Sequence, residues 1–334
     1  MKKQTILVTG GLGYIGSHTS IALLESGYDL VIIDKLINSN ISVLGRIEEL
    51  TGKTVKFYNF DIRNELKVKD VLDNHPIDAV IHFAAFKSIN ESIEDPLLYY
   101  DNNVIGTIKL TEALQKRGIY KFIFSSSASV YGNPPKSPVS EETPRSTLNP
   151  YGATKLMVEN ILSDLVNANY LWKIGILRYF NPVGAHASGL IGQIPDKIPN
   201  NLMSYICLVA NGDFPHVNVF GGDYNTPDGT AIRDYIHVTD LALAHVAALK
   251  KLEHQKGADI FNLGTGIGIS VLELINTFEK TNEIKIPYKI IDKRAGDSES
   301  VFADVSKANK ILKWKTEKNL IEMCEDSWRW QKRF

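Results

Sequence analysis

A short apolar strand that runs straight into a glycine turn and then a helix constrains this chain more than any other feature. Ile6-Leu7-Val8 leads into Thr9-Gly10-Gly11-Leu12-Gly13-Tyr14-Ile15-Gly16, after which Ile15, Thr19, Ala22 and Leu23 recur at helical spacing until Gly27. Gly10, Gly13 and Gly16 recur at every third position. Glycine permits the tight turn and removes Cβ where a pyrophosphate must approach the backbone, while the helix start offers unpaired N–H groups and a positive dipole end. The turn is expected to hold a dinucleotide.

The strand-helix unit repeats. Leu30-Val31-Ile32-Ile33, Val55-Lys56-Phe57, Ala79-Val80-Ile81-His82-Phe83 and Phe122-Ile123-Phe124 alternate with helical patterns. Strands this apolar are buried on both faces, which predicts an α/β fold with a doubly wound parallel sheet of Rossmann type and ligands at the carboxyl ends of its strands. From Asn181 onward Pro, Gly and Asn are frequent, and a strand such as Val217-Asn218-Val219-Phe220 stands isolated. A smaller mixed α/β C-terminal lobe is expected there. The predicted division is a nucleotide-binding domain over 1–180 and a substrate lobe over 181–334, with a strand near 259–265 (Ile260-Phe261-Asn262-Leu263-Gly264) rejoining the first sheet.

Charge narrows the partners. Thirty-seven Lys and Arg against 38 Asp and Glu give a net charge of -1, so no overall basic field recruits nucleic acid or an anionic membrane. Met1-Lys2-Lys3-Gln4-Thr5 is basic, but the apolar run after it is too short for a signal-peptide core, and no segment approaches the ~20 apolar residues that span a bilayer. Cys207 and Cys324 are the only cysteines, far apart, which argues against a disulfide framework or structural zinc. A cytoplasmic protein without a metal is expected.

Four further positions carry chemistry. Asp34 ends the second strand, about 20 residues past the glycines, where a carboxylate accepts hydrogen bonds from a ribose 2′-OH and repels a 2′-phosphate, which favours NAD over NADP. Tyr151 and Lys155 lie at i and i+4 in Asn149-Pro150-Tyr151-Gly152-Ala153-Thr154-Lys155, on one face of a helix. Lys155 is expected to lower the Tyr151 phenol so that it accepts a proton near neutral pH. Ser127 closes the run Phe122-Ile123-Phe124-Ser125-Ser126-Ser127 at the carboxyl edge, placed to relay that proton.

The glycine turn, Ser127 and Tyr151-x-x-x-Lys155 together resemble the extended short-chain dehydrogenase/reductase family. Phe83-Ala84-Ala85-Phe86-Lys87, Tyr100-Asp101-Asn102-Asn103, the run from Arg178 to Ala185, Ile198-Pro199-Asn200-Asn201-Leu202 and Arg233-Asp234-Tyr235-Ile236-His237 narrow the resemblance to the UDP-glucose 4-epimerase family within it, over essentially the whole chain. By that resemblance Tyr14, Ile15, Asp34, Asn38, Ser39, Asp61, Ile62, Phe83, Ala84, Lys87, Asn102 and Phe180 line an NAD site shared with Ser127, Tyr151 and Lys155. Asn181, Asn201, Phe220, Arg233, Arg294 and Asp297 hold the UDP part of the substrate. The side chains suit this: Arg233 and Arg294 can pair with a diphosphate, and Phe220 offers a face to uracil.

The resemblance implies reversible inversion at C4 of a UDP-hexose through a 4-keto sugar, with NAD never released, and a homodimer is expected. Val301, just before Phe302, stands where glucose-restricted members carry a bulky aromatic, so UDP-N-acetylglucosamine and its galacto epimer are expected substrates too. A nucleotide-sugar dehydratase is disfavoured because Ser127-Ala128-Ser129-Val130-Tyr131-Gly132 lacks the carboxylates that elimination requires. A UDP-uronic acid 4-epimerase and a non-catalytic NAD-sensing module are the alternatives left open.

Overall fold

The computed structural model describes residues 3–194, 201–294 and 297–334. The first half runs β1 (Thr5–Thr9), α1 (Tyr14–Glu25), β2 (Asp29–Asp34), α2 (Ser42–Thr51), β3 (Lys56–Asn59), α3 (Glu65–Asn74) and β4 (Ile77–His82). It continues with α4 (Ile89–Glu94), α5 (Pro96–Tyr99), a π-helical turn at Tyr100–Ile105, α6 (Gly106–Gln115), β5 (Lys121–Ser127), a 3-10 turn at Ala128–Tyr131, α7 (Pro150–Ala168) and β6 (Lys173–Tyr179). The second half begins with β7 (Asn181–Val183), α8 (Leu202–Ala210), β8 (Val217–Phe220), β9 (Ile232–Arg233), β10 (Tyr235–His237), α9 (Val238–Leu252) and β11 (Gly257–Leu263). It ends with β12 (Ile269–Ser270), α10 (Val271–Asn282), β13 (Tyr288–Ile291), β14 (Ser300–Val301), α11 (Ser306–Leu312) and α12 (Leu320–Gln331).

Seven parallel strands form the main sheet in the order β11-β6-β5-β4-β1-β2-β3. Alternate side chains of each central strand serve two different cores. Ile6 and Val8 of β1, Leu30 and Ile32 of β2 and Ile123 of β5 join one apolar cluster with α1 and α9. Leu7, Val31, Ile33, Phe122 and Phe124 join another with α3, α6 and α7. This two-sided burial is why the strands read as unbroken apolar runs. β11 lies beside β6, and α9 and α11 also pack into the first core, so the later chain returns to this lobe with more than one strand.

A third core gathers α8, α10 and α12 around Val217, Val219 and Tyr235. Two expectations need correction here. Val217–Phe220 is not isolated: it pairs in parallel with β13, whose four residues, Tyr288-Lys289-Ile290-Ile291, are all exposed. The third strand starts at Lys56, with Val55 buried just outside the ladder.

Candidate active site

The strand order reverses between β1 and β4, which opens a crevice at the carboxyl ends of the central strands. At its floor the chain leaves β1 through Gly10, whose φ of +70° is left-handed and whose absent Cβ would lie 2.8 Å from the Ala84 backbone nitrogen. A Cβ on Gly16 would collide with the Gly10 carbonyl oxygen. α1 starts without a capping side chain, which leaves the backbone N–H groups of its first turn, at Tyr14 and Ile15, for an external anion. The Tyr14 side chain is engaged elsewhere: its hydroxyl donates to the Gly184 carbonyl at 2.7 Å, across to the second half of the chain.

Asp34 ends β2 as a buried acceptor. Its carboxylate accepts from Leu12 N at 3.1 Å and from Leu36 N and Ser39 Oγ at 2.9 Å each, while Asn38 lies exposed in the same loop. Lys35 does not stand ready for a 2′-phosphate: its Nζ donates to Asp61 at 3.1 Å and to Asn102 at 2.6 Å and lies 4.5 Å from the centroid of the Phe86 ring. Burial would raise the Asp61 carboxyl, yet hydrogen bonds from Arg63 and Lys35 hold it well below the usual carboxylate range. Ile62 packs beneath Gly106, Phe83 stands 4.9 Å from the His245 ring, and exposed Lys87 follows in the loop after β4.

The proposed catalytic groups meet where β5 ends. Asn149 caps α7, its Oδ1 accepting from Gly152 N at 2.8 Å, with Pro150 in the first helical turn. That fixes Tyr151 in the first turn, where Ser127 hydrogen-bonds its phenol. One turn later Lys155 is buried, its Nζ donating to the Ser125 carbonyl at 2.6 Å and lying 5.9 Å from the centroid of the Tyr151 ring. Burial pulls Lys155 down to about 7, with Glu159 opposing. The Tyr151 phenol goes up, not down as expected from Lys155 alone, because desolvation outweighs the Ser127 hydrogen bond that favours the phenolate.

On the other side, β14 pairs with β9 so that Val301 stands opposite Arg233. Arg233 bonds to Asp297, and its Nη1 donates to the Ile232 carbonyl at 2.8 Å. The Arg294 guanidinium lies 3.6 Å from the centroid of the Phe220 ring, so the face expected to meet uracil carries a cation here. Asn181 Nδ2 donates to the Asp234 carbonyl at 3.1 Å. Asn201 caps α8 through Ser204 N at 2.7 Å and bonds Gln193 at 2.7 Å, leaving one amide hydrogen for a ligand. Val301 packs against a cluster of Val130, Tyr131, Val139, Phe180 and Ala303, which joins it to the turn after Ser127. Residues 198–200 of the quoted stretch before Asn201, and residues 295–296 between Arg294 and Asp297, lie outside the described residues.

Residues 6–264 match the model of the NAD dependent epimerase/dehydratase family. The chain belongs to that family. It is 53% identical to the UDP-glucose 4-epimerase of Bacillus subtilis over 98% of this chain and 97% of the relative. Two solved structures are similar throughout. One is UDP-glucose 4-epimerase from Stenotrophomonas maltophila with bound NAD and formylated UDP-arabinopyranose, at 49% identity and TM-score 0.97, covering 99% of this chain and 98% of that one. The other is the Bifidobacterium longum enzyme in complex with NAD+ and UDP, at 49% identity and TM-score 0.95 with the same coverage.

The cofactor of the NAD dependent epimerase/dehydratase family fits what these residues offer: an uncapped helix start, a turn where a Cβ would fill the backbone approach, and a fixed carboxylate at the end of β2. Among the described residues no group of three or more His, Cys, Asp or Glu is arranged to hold a metal ion, and no helix is long and apolar enough to cross a membrane. Sequence reasoning missed two buried carboxylates. Asp234 accepts from Thr265 N and Oγ1 at 2.7 Å, Gly266 N at 3.0 Å and Ala303 N at 3.1 Å, tying Arg233 to β11 and β14. Its signal was an acid inside the run Arg233-Asp234-Tyr235-Ile236. Glu159, one turn beyond Lys155 on the same helix face, was the other.

Proposed function

We propose that this enzyme interconverts UDP-glucose and UDP-galactose by reversible epimerisation at C4, passing through a 4-keto sugar. The observation that carries this reading is the convergence of Tyr151, Ser127 and Lys155 at the end of β5, facing the crevice above the glycine turn. Tyr151 takes the O4 proton directly or through Ser127 and returns it after inversion. Lys155 places an ammonium over the Tyr151 ring, and the field of that charge favours the phenolate. Bound NAD supplies hydride exchange at C4. Arg233 and Arg294 hold the diphosphate, with Asp297 giving up Arg233 as the substrate arrives, so UDP stays fixed while the sugar turns over its other face.

Gly10, Gly13, Gly16, Tyr14 and Ile15 hold the cofactor diphosphate through the backbone, Asp34, Asn38 and Ser39 its adenosine ribose, and Asp61, Ile62, Phe83, Ala84, Lys87, Asn102 and Phe180 the rest of the site. Residues 1–180, joined by α9, β11 and α11, form the cofactor domain, and the remainder of 181–334 binds the nucleotide sugar. The smaller volume at Val301 admits N-acetylated UDP-hexoses. Two buried, unpaired cysteines support a reducing cytoplasm as the place of action. Exposed Ile89, Ile93, Leu97 and Met157 on the adjoining helices α4, α5 and α7 support a homodimer.

The test is incubation of purified protein with UDP-galactose and no added cofactor, following the anomeric signals by NMR. Appearance of UDP-glucose is the expected result and shows that NAD copurifies; no conversion even with NAD added overturns the proposal.

A further inference from the structure

α7 meets β5 at three places, and the reaction accounts for two of them. Tyr151, Lys155 and Glu159 occupy successive turns on one face of the helix. Tyr151 faces Ser127 and Lys155 donates to the Ser125 carbonyl, while Glu159 Oε1 accepts from Ser126 Oγ at 2.5 Å. Three consecutive strand residues are thus each held by a different turn of α7.

The third contact is heavily braced. Glu159 and Arg178 are each 1% exposed and form a two-point pair, Nε to Oε1 at 2.9 Å and Nη2 to Oε2 at 2.6 Å. Arg178 Nη1 donates on to Tyr131 Oη at 2.8 Å and the Glu141 carbonyl at 3.2 Å, and Tyr131 Oη donates to Asn262 at 2.6 Å. The carboxylate is therefore tied to β5, to β6, to the turn that follows Ser127 and, through Asn262, to β11. A buried ion pair gains little over a well-packed apolar pair, so stability alone does not account for one placed beneath a catalytic lysine.

The charges around Lys155 give the pair a further consequence. Facing it are Tyr151 and Glu159 of α7 and His82 of β4, with Arg178 and Tyr179 of β6 behind them and Arg145 reaching Glu159 at 3.5 Å from the surface side. His82 is buried and neutral, and Arg178 is spent on Glu159. Glu159 is thus the carboxylate whose field supports a buried ammonium at Lys155.

We propose that Glu159, pinned by Arg178 and Ser126, is a positioning residue for Tyr151 and Lys155: it sets the register of α7 on β5 and keeps Lys155 charged. The activity readout rests on the epimerase reading; the charge readout does not. Lys155 is titrated directly in the holoprotein through its Cε carbon NMR signal, assigned by its loss in K155M. In E159Q/R178M, which removes both partners of the buried Glu159–Arg178 pair together, the Lys155 midpoint moves to lower pH by on the order of one unit. E159D retains the charge but is too short to span Arg178 and Ser126, and S126A disturbs no charge. Both keep the wild-type midpoint, yet lose kcat on the order of tenfold with KM within about twofold, as expected when reacting groups are displaced but binding is not. An unmoved midpoint in E159Q/R178M, or wild-type kcat in both E159D and S126A, overturns the proposal. A wild-type protein without epimerase activity refutes the proposed function instead, and the Lys155 midpoint still decides the role of Glu159 charge.

Discussion

Burial raises the Tyr151 phenol, and the group that opposes this at its hydroxyl is Ser127, with the Lys155 Nζ 5.9 Å from the ring centroid; proton exchange by Tyr151 at neutral pH is the proposed role that a variant can test. Y151F keeps the ring and removes the proton carrier, so kcat should fall on the order of 100- to 10,000-fold with KM little changed. Steady-state kinetics on UDP-galactose checks this, and a variant retaining wild-type kcat would exclude the phenol. At the proposed sugar end, Val301 borders Phe180 and stands opposite Arg233, so its bulk would act on space rather than charge. Val301→Tyr should cut turnover of UDP-N-acetylglucosamine on the order of tenfold or more relative to UDP-galactose. Competition between the two substrates in one reaction measures that ratio directly; equal losses on both would mean Val301 only packs in the lobe.

At the scale of elements, catalysis depends on where α7 starts. Asn149 holds the first turn that carries Tyr151, so N149A should cost about 1 kcal/mol of stability and also lower kcat several-fold. Thermal melting and kinetics on the same preparation compare the two effects; lost stability with intact kcat would show that the cap does not place the tyrosine. Such elements were legible in the sequence because their determinants are local. The strand, glycine turn and helix at Ile6–Gly16 lie in one short stretch, and Tyr151 and Lys155 are joined by helical spacing alone. What was not legible depends on partners distant in sequence. Glu159 needs Arg178, Asp234 needs Thr265 and Ala303, and Lys35 is paired with Asp61 and donates to Asn102. For β13 it is the pairing that was not legible: Tyr288-Lys289-Ile290-Ile291 is a strand-like run, but all four residues are exposed, so no burial pattern points to β8 as its partner.

For the whole molecule, assembly and pH response follow from what is left exposed and what is fully enclosed. Leu97 of α5 is 76% exposed, so on the proposed homodimer L97E should give a monomer in light scattering where the wild-type protein gives a dimer, while leaving melting behaviour near neutral pH largely intact; a wild-type monomer overturns the proposed assembly. Acid should act through enclosed imidazoles. Burial pulls His18 and His82 down to about 3 and His245 to about 4, from 6.5. His82 lies between Thr9 Oγ1 at 2.6 Å and Thr107 Oγ1 at 2.9 Å; because Thr107 donates to the Asn103 carbonyl at 2.6 Å, the imidazole donates to Thr107 and accepts from Thr9. Each of the three is neutral when folded and takes a proton near its ordinary value when unfolded. Their full contribution is therefore present above about pH 6.5 and is lost as pH falls, at about 1.4 kcal/mol per pH unit for each. Asp234 and Asp240, raised by burial, act in the opposite sense but start from a lower ordinary value, 3.8. The melting temperature should fall gently between about pH 8 and 7, where Lys155, pulled down to about 7, takes up its proton in the folded state, and then steeply toward about pH 5 as the imidazoles come into play. His82→Asn keeps a donor and an acceptor between the two threonines without a titrating group, and should reduce that slope by this one imidazole's share, about 1.4 kcal/mol per pH unit. A melting temperature that is level down to about pH 5 would mean that the folded protein accommodates charged imidazoles at these sites, contrary to their burial.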